Sequence, residues 1–153
     1  MSILIRDLID NYIQQDKIYH KVAVFSLQQT ALLESQTVDP VLIREVLQNR
    51  QSLMDDVANI NEEAKNLQDK MKKYYGLKAF TLSGIEGVVN HGDFTELKGV
   101  LDQMGEVLKS ISQNDLKNQV LMRQAAAEAH AGPTVSNHQA SSAYRQAMEP
   151  KNT

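Results

Sequence analysis

The chain has no cysteine and no tryptophan among its 153 residues. Without thiols it can form no disulfide, thiolate zinc site or iron–sulfur cluster, and it has no cysteine nucleophile. Chain breakers are scarce too. With seven glycines and three prolines, reversals are few and long helices are expected. No apolar run exceeds Val22-Ala23-Val24-Phe25, far short of the ~20 residues of a membrane-spanning helix. Neither sign of charge dominates: 16 Lys+Arg against 19 Asp+Glu leave a net charge of −3, which gives no electrostatic case for a nucleic-acid partner. The opening Met-Ser-Ile-Leu-Ile-Arg-Asp places charge after the apolar stretch, the reverse of a secretory signal. A cytoplasmic protein without stable membrane insertion is expected.

Glu, Lys, Gln, Leu and Ala fill long unbroken stretches, and the length suits one domain with or without a tail. The expected fold is all-α: an elongated antiparallel bundle of three long helices over residues 1–131, with a short connector helix and a C-terminal tail over 132–153. The first helix, about 2–35, threads Ile5, Leu8, Tyr12, Tyr19, Val22, Ser26, Leu27 and Leu33 near the 3.6-residue period. Gln15-Asp16 interrupt its stripe and Ala23-Val24-Phe25 widen it, as suits a helix with more than one neighbour. Asp39 is a good cap and Pro40 a good first helical residue, so a second helix should start at 40. The loop before it is short, which implies antiparallel neighbours.

This second helix, about 40–75, carries the clearest pattern. Ile43, Val46, Arg50, Leu53, Val57, Ile60, Ala64, Leu67, Met71 and Tyr74 repeat in 3-4 spacing, the signature of a seam against another helix, with Arg50 the one polar exception. Lys70, Lys72 and Lys73 complement the negative end of the helix dipole, and Gly76 supplies the left-handed terminator. Ser83 and Glu86 have the form of a capping box for a connector helix at about 84–91. Asp93 and Glu96 form another for a third long helix at about 93–131. There Leu97, Leu101, Met104, Leu108 and Ile111 continue a heptad stripe. The next positions in register, Asp115, Asn118, Met122, Ala125 and Ala129, are polar and then small, while Leu116, Val120 and Leu121 lie on a rotated face. Gly132-Pro133 ends the helix. The tail carries little apolar mass, although 141–148 can form a short helix if something receives Tyr144 and Met148.

Catalytic and metal constellations are sparse. Neither Glu-x-x-His nor His-Glu-x-x-His occurs. Asp16 and His20, four apart on a helix, read as a surface pair. The doublets Asp55-Asp56 and Glu62-Glu63 project about 100° apart on a helix and make no ready acid–base couple. No enzyme activity, cofactor or metal site is expected. The feature that stands out is the second half of the third long helix together with the tail. Asn118, Leu121, Met122 and Ala125 offer amides, adaptable apolar groups and small side chains, on which an amphipathic guest helix can lie. The same strip can equally complete the bundle within the chain.

The layout resembles the FlgN family of flagellar export chaperones. Ala31-Leu32-Leu33-Glu34, Val38-Asp39-Pro40-Val41-Leu42-Ile43 and Val46-Leu47-Gln48-Asn49-Arg50-Gln51-Ser52-Leu53-Met54 are similar to the family's first helical reversal. Arg50-Gln51 stands where Lys-Gln is usual, and Val38-Asp39 where Gly-Asp is usual. Ile111–Ala125 looks like the Asn-x-x-Asn-x-x-Leu stretch of the family, although Asn114 and Asn118 are four apart rather than three. The resemblance implies a non-enzymatic chaperone for unpolymerised hook-junction proteins, which hands them to the export apparatus. The implied partner-binding residues are Asn118, Leu121, Met122, Ala125 and Tyr144. The alternative is a coiled-coil scaffold that self-associates through the seam of the second helix, in which case Arg50→Leu should tighten assembly; a homo-oligomer is compatible with either.

Overall fold

The computed structural model describes residues 2–131, and no strand occurs among them. Four helices follow one another: α1 Ser2–Glu34, α2 Pro40–Tyr75, α3 Leu82–Glu86 and α4 His91–Ala131. Tyr144 and the rest of the tail lie outside the described residues. The chain divides into two compact units. Among the described residues the first takes 2–20 and 55–108; the second takes 21–54 and 109–131. No helix of the described residues is long and apolar enough to cross a membrane.

Local chemistry sets the helix ends. Asp39 Oδ1 accepts from the amides of Val41 (2.9 Å) and Leu42 (3.4 Å), which satisfies two of the free donors of the first turn of α2. At the other end Leu77 N–H donates to Lys72 C=O (2.8 Å) and Gly76 N–H to Lys73 C=O (3.4 Å). That bonding pattern is a Schellman motif. It needs a left-handed residue, which Gly76 provides at φ 68°.

Two helix starts differ from the sequence reading. The connector helix begins at Leu82 and is capped by Thr81, whose backbone is extended (φ −127°, ψ 153°) and whose hydroxyl accepts from the Gly84 amide. Ser83 is already inside the helix, so it cannot cap it. Helix α4 begins at His91 rather than Asp93 because Asn90 caps first. Asn90 Oδ1 accepts from the Asp93 amide (2.8 Å), and Asp93 Oδ2 accepts from Asn90 Nδ2 (2.9 Å). Reciprocal bonding is present, with its capping residue three positions earlier.

The first unit is organised around apolar side chains. Ile5, Leu8, Ile9 and Tyr12 of α1 meet Ala64 and Met71 of α2, Ile85 of α3, and Leu97 and Met104 of α4. Complete burial of Ile85 is worth about 1.5–3 kcal/mol and ties the connector to this core. Polar contacts fix the register at its margins. Both Arg6 guanidinium nitrogens reach Glu96 Oε2 at 2.7 Å, Asn11 Nδ2 donates to Ile60 C=O at 2.8 Å, and Gln68 Nε2 donates to the Tyr12 hydroxyl. Burial pushes the Tyr12 phenol above its ordinary pKa of 10.0, partly offset by the Gln68 bond.

The second unit has a smaller apolar cluster: Leu33, Val38, Ile43, Leu47 and Met122, with Leu32 and Leu121 packed against it. Within this unit α2 runs antiparallel to α1 and α4. The pairings of Ser26 with Asp115, Thr30 with Asn118, and Gln29 with Arg50 follow from that arrangement.

Candidate partner-binding surface

The chemistry of the second unit begins with the widened stripe of α1. Ser26, Gln29 and Thr30 all point inward where a helix of purely structural purpose would carry Leu or Ile, and each is buried. Arg50 of α2 forms a two-pronged ion pair with Asp115 of α4, Nη1 to Oδ1 at 2.9 Å and Nη2 to Oδ2 at 2.7 Å. Nη1 also donates to Gln29 Oε1 at 2.8 Å, and Ser26 Oγ donates to Asp115 Oδ1 at 3.0 Å. Asn118 completes the network: its Nδ2 donates to Ser26 C=O (3.1 Å), and its Oδ1 accepts from the Thr30 hydroxyl (2.5 Å). One donor, Gln29 Nε2, has no protein partner. Forked geometry makes the Arg50–Asp115 pair directional, so the network specifies how three helices are aligned more than it adds net stability.

Three residues of the expected partner strip lie in or beside this network. Asn118 is fully buried and Met122 and Ala125 nearly so. Asn118 is held by α1, and Met122 lies in the cluster with Leu33, Val38, Ile43 and Leu47. These three residues pack into the interior of their own unit. The physical reason is that the stripe of α4 does not stop at Ile111. It continues through Asp115, Asn118, Met122 and Ala125, with polar residues whose partners are the polar residues of α1 and α2. Leu121 is half-buried against the same cluster. Arg50 likewise interrupts no seam: it is the hub of the network. Of the α2 stripe around it, Ile43, Val46, Val57, Ala64 and Met71 are buried, Leu53, Ile60 and Leu67 are half-buried, and Tyr74 is exposed.

What the second unit does expose is apolar. Of the eleven large hydrophobic residues exposed among the described residues, seven belong to it: Val24, Leu27, Val41, Leu42, Met54, Leu116 and Val120. Leu116 (63%) and Val120 (50%) lie one turn apart on the side of α4 opposite Asn118. Between α1 and α2 runs an open cleft of about 430 Å³, lined by Phe25, Ala31, Leu32, Leu42 and Val46, with Gln28, Glu45 and Asn49 among its polar lining. The sequence held a signal for this cleft. Phe25 belongs to the widening of the α1 stripe, and Leu42 adjoins Ile43 just outside the α2 seam; both are apolar residues in excess of what one seam needs.

Among the described residues no group of three or more His, Asp or Glu side chains could hold a metal ion. Asp16 and His20 approach to 3.4 Å, with His20 largely exposed. In comparisons with models of known families, with curated proteins and with solved structures, nothing matches the chain.

Proposed function

We propose that the protein is a non-enzymatic export chaperone that shields the amphipathic terminal helix of an unpolymerised flagellar hook-junction protein and delivers it to the export apparatus. The observation that carries this reading is the concentration of exposed large apolar residues on the second unit, next to an open apolar cleft. A guest helix laid into the cleft would place its apolar positions against Phe25, Leu32 and Leu42, while Glu45 and Asn49 meet its polar flank. This is recognition by helix in groove, in which a few apolar anchors set affinity. The resemblance of the first helical reversal and of 111–125 to the FlgN family supplies the identity of the guest.

The docking residues are therefore Phe25, Leu32 and Leu42 rather than Asn118, Met122 and Ala125. Self-association through the α2 seam is the weaker reading, because Ile43, Val46, Val57, Ala64 and Met71 of that seam are buried. Titration calorimetry of the full chain with peptides spanning the terminal helices of hook-junction proteins tests the proposal. Leu42→Glu should weaken binding at least ~10-fold, about 1.4 kcal/mol, with helix content unchanged. Absence of binding by the unsubstituted protein, or equal binding by Leu42→Glu, overturns it.

A further inference from the structure

The cleft between α1 and α2 is open on the described chain, and the chain itself carries a segment suited to it. In 141–148, Ser-Ser-Ala-Tyr-Arg-Gln-Ala-Met, a helical turn would put Tyr144 and Met148 on one face with Ala140 and Ala147. That face holds one ring, one adaptable thioether and small flanks, in a stretch otherwise made of polar and small residues. Arg145 follows Tyr144 directly. Glu45, on the polar lining of the cleft, forms no ion pair among the described residues.

We propose that residues 144–148 dock into the cleft lined by Phe25, Leu32, Leu42 and Val46, so that the tail occupies the second unit until a partner displaces it. Reach is not limiting. Gln124, Ala125 and Glu128 of α4 line a common cavity with Leu33–Gln36 and Val38 at the α1–α2 turn, and Leu32 of the cleft is the neighbour of Leu33. Gly132-Pro133 favours a change of direction directly after α4. The twelve residues 132–143 can then extend up to about 40 Å. A tether of this length gives an effective concentration of order millimolar, so contacts worth a dissociation constant of ~1 mM suffice for half occupancy. Such a contact protects the apolar cleft in the free protein yet yields to a micromolar guest. Docking of the tail stands independently of the chaperone reading; only its consequence for guest binding rests on that reading.

The absence of cysteine makes the test direct. A nitroxide on Gln146→Cys in the full chain, facing away from Tyr144, should broaden the methyl resonances of Leu32, Leu42 and Val46. Those of Leu116 and Val120, and of Leu8 and Leu97 in the first unit, should keep their intensity. Tyr144→Ala with Met148→Ala in the same labelled chain should restore the cleft signals, and dilution should leave the broadening unchanged. Unbroadened cleft methyls, broadening centred on Leu116 and Val120, broadening that fades on dilution, or broadening that survives the double substitution each overturn the proposal. No guest is present in this experiment, so its failure is separate from failure of the calorimetric titration.

Discussion

The two units are built from segments of the same three long helices, yet their interiors follow different rules. The first buries two polar side chains, Asn11 and Gln15, against a continuous apolar core reinforced by the connector. The second buries four, Ser26, Gln29, Thr30 and Asn118, around the Arg50–Asp115 pair, and exposes seven of the eleven large apolar residues on its outside. Apolar burial is non-directional and stabilising; an ion pair with satisfied hydrogen bonds is directional and close to neutral overall. The first unit is thus held chiefly by apolar burial, and the second is aligned by polar pairing while several of its large apolar side chains stay exposed. Hydrogen exchange measures the contrast: amides of 97–104 should be protected more strongly than those of 111–122, although both lie on α4.

The sharpest way to break this comparison is a truncation in the first core. Leu8→Ala removes a fully buried side chain and should cost about 2–5 kcal/mol in denaturant unfolding. In the second unit Asp115→Ala leaves Arg50 without its fork and Ser26 without an acceptor. Because the pair is partly solvated, at 16% and 25% side-chain exposure, the expected loss is smaller, about 1–3 kcal/mol. Replacing Arg50, Asp115 and Gln29 together by Met, Leu and Leu should recover most of that loss. A triple variant as unstable as Asp115→Ala would show that the network stabilises as well as aligns.

Smaller effects refine the picture. Gly76→Ala meets no atom within 4 Å of the added methyl, so only the left-handed backbone resists it, at about 1–2 kcal/mol. Thermal unfolding of that variant reads the cost directly. The least effect is that of pH. Tyr12, Tyr19 and Tyr75 all have raised pKa values, chiefly through burial, and all lie in the first unit. A raised folded-state pKa means that the unfolded chain loses its phenolic protons first. Their contribution is therefore complete below pH 10 and is lost as pH rises through the folded values. Tyrosinate absorbance should rise together with loss of protection in 97–104 while 43–50 lags behind.

Helix character and several ends were legible from single residues. Asp39-Pro40 marks the start of α2 because both a carboxylate acceptor and a residue lacking N–H suit that position, and Gly76 marks its end because few other residues adopt positive φ. The starts of α3 and α4 were misread by one local ambiguity. Thr81 and Ser83, like Asn90 and Asp93, are both competent caps, and only the backbone angles choose between them.

The candidate site shows the deeper limit. Heptad spacing on α4 is visible through Ile111, and the polar residues after it look like the end of a core, since an isolated helix gives no reason to bury Asp115 or Asn118. Arg50 looks like a flaw in a seam for the same reason. Each becomes intelligible only once α1 brings Ser26, Gln29 and Thr30 to them, because a buried polar group is tolerated only where its hydrogen bonds are met by residues far away in the chain. Composition and periodicity determined that this protein is a set of long helices, and the cap residues Asp39, Pro40 and Gly76 determined where α2 begins and ends. Tertiary packing decided which stripe positions are buried and which apolar residues stay exposed, since burial is a property of neighbours and not of spacing.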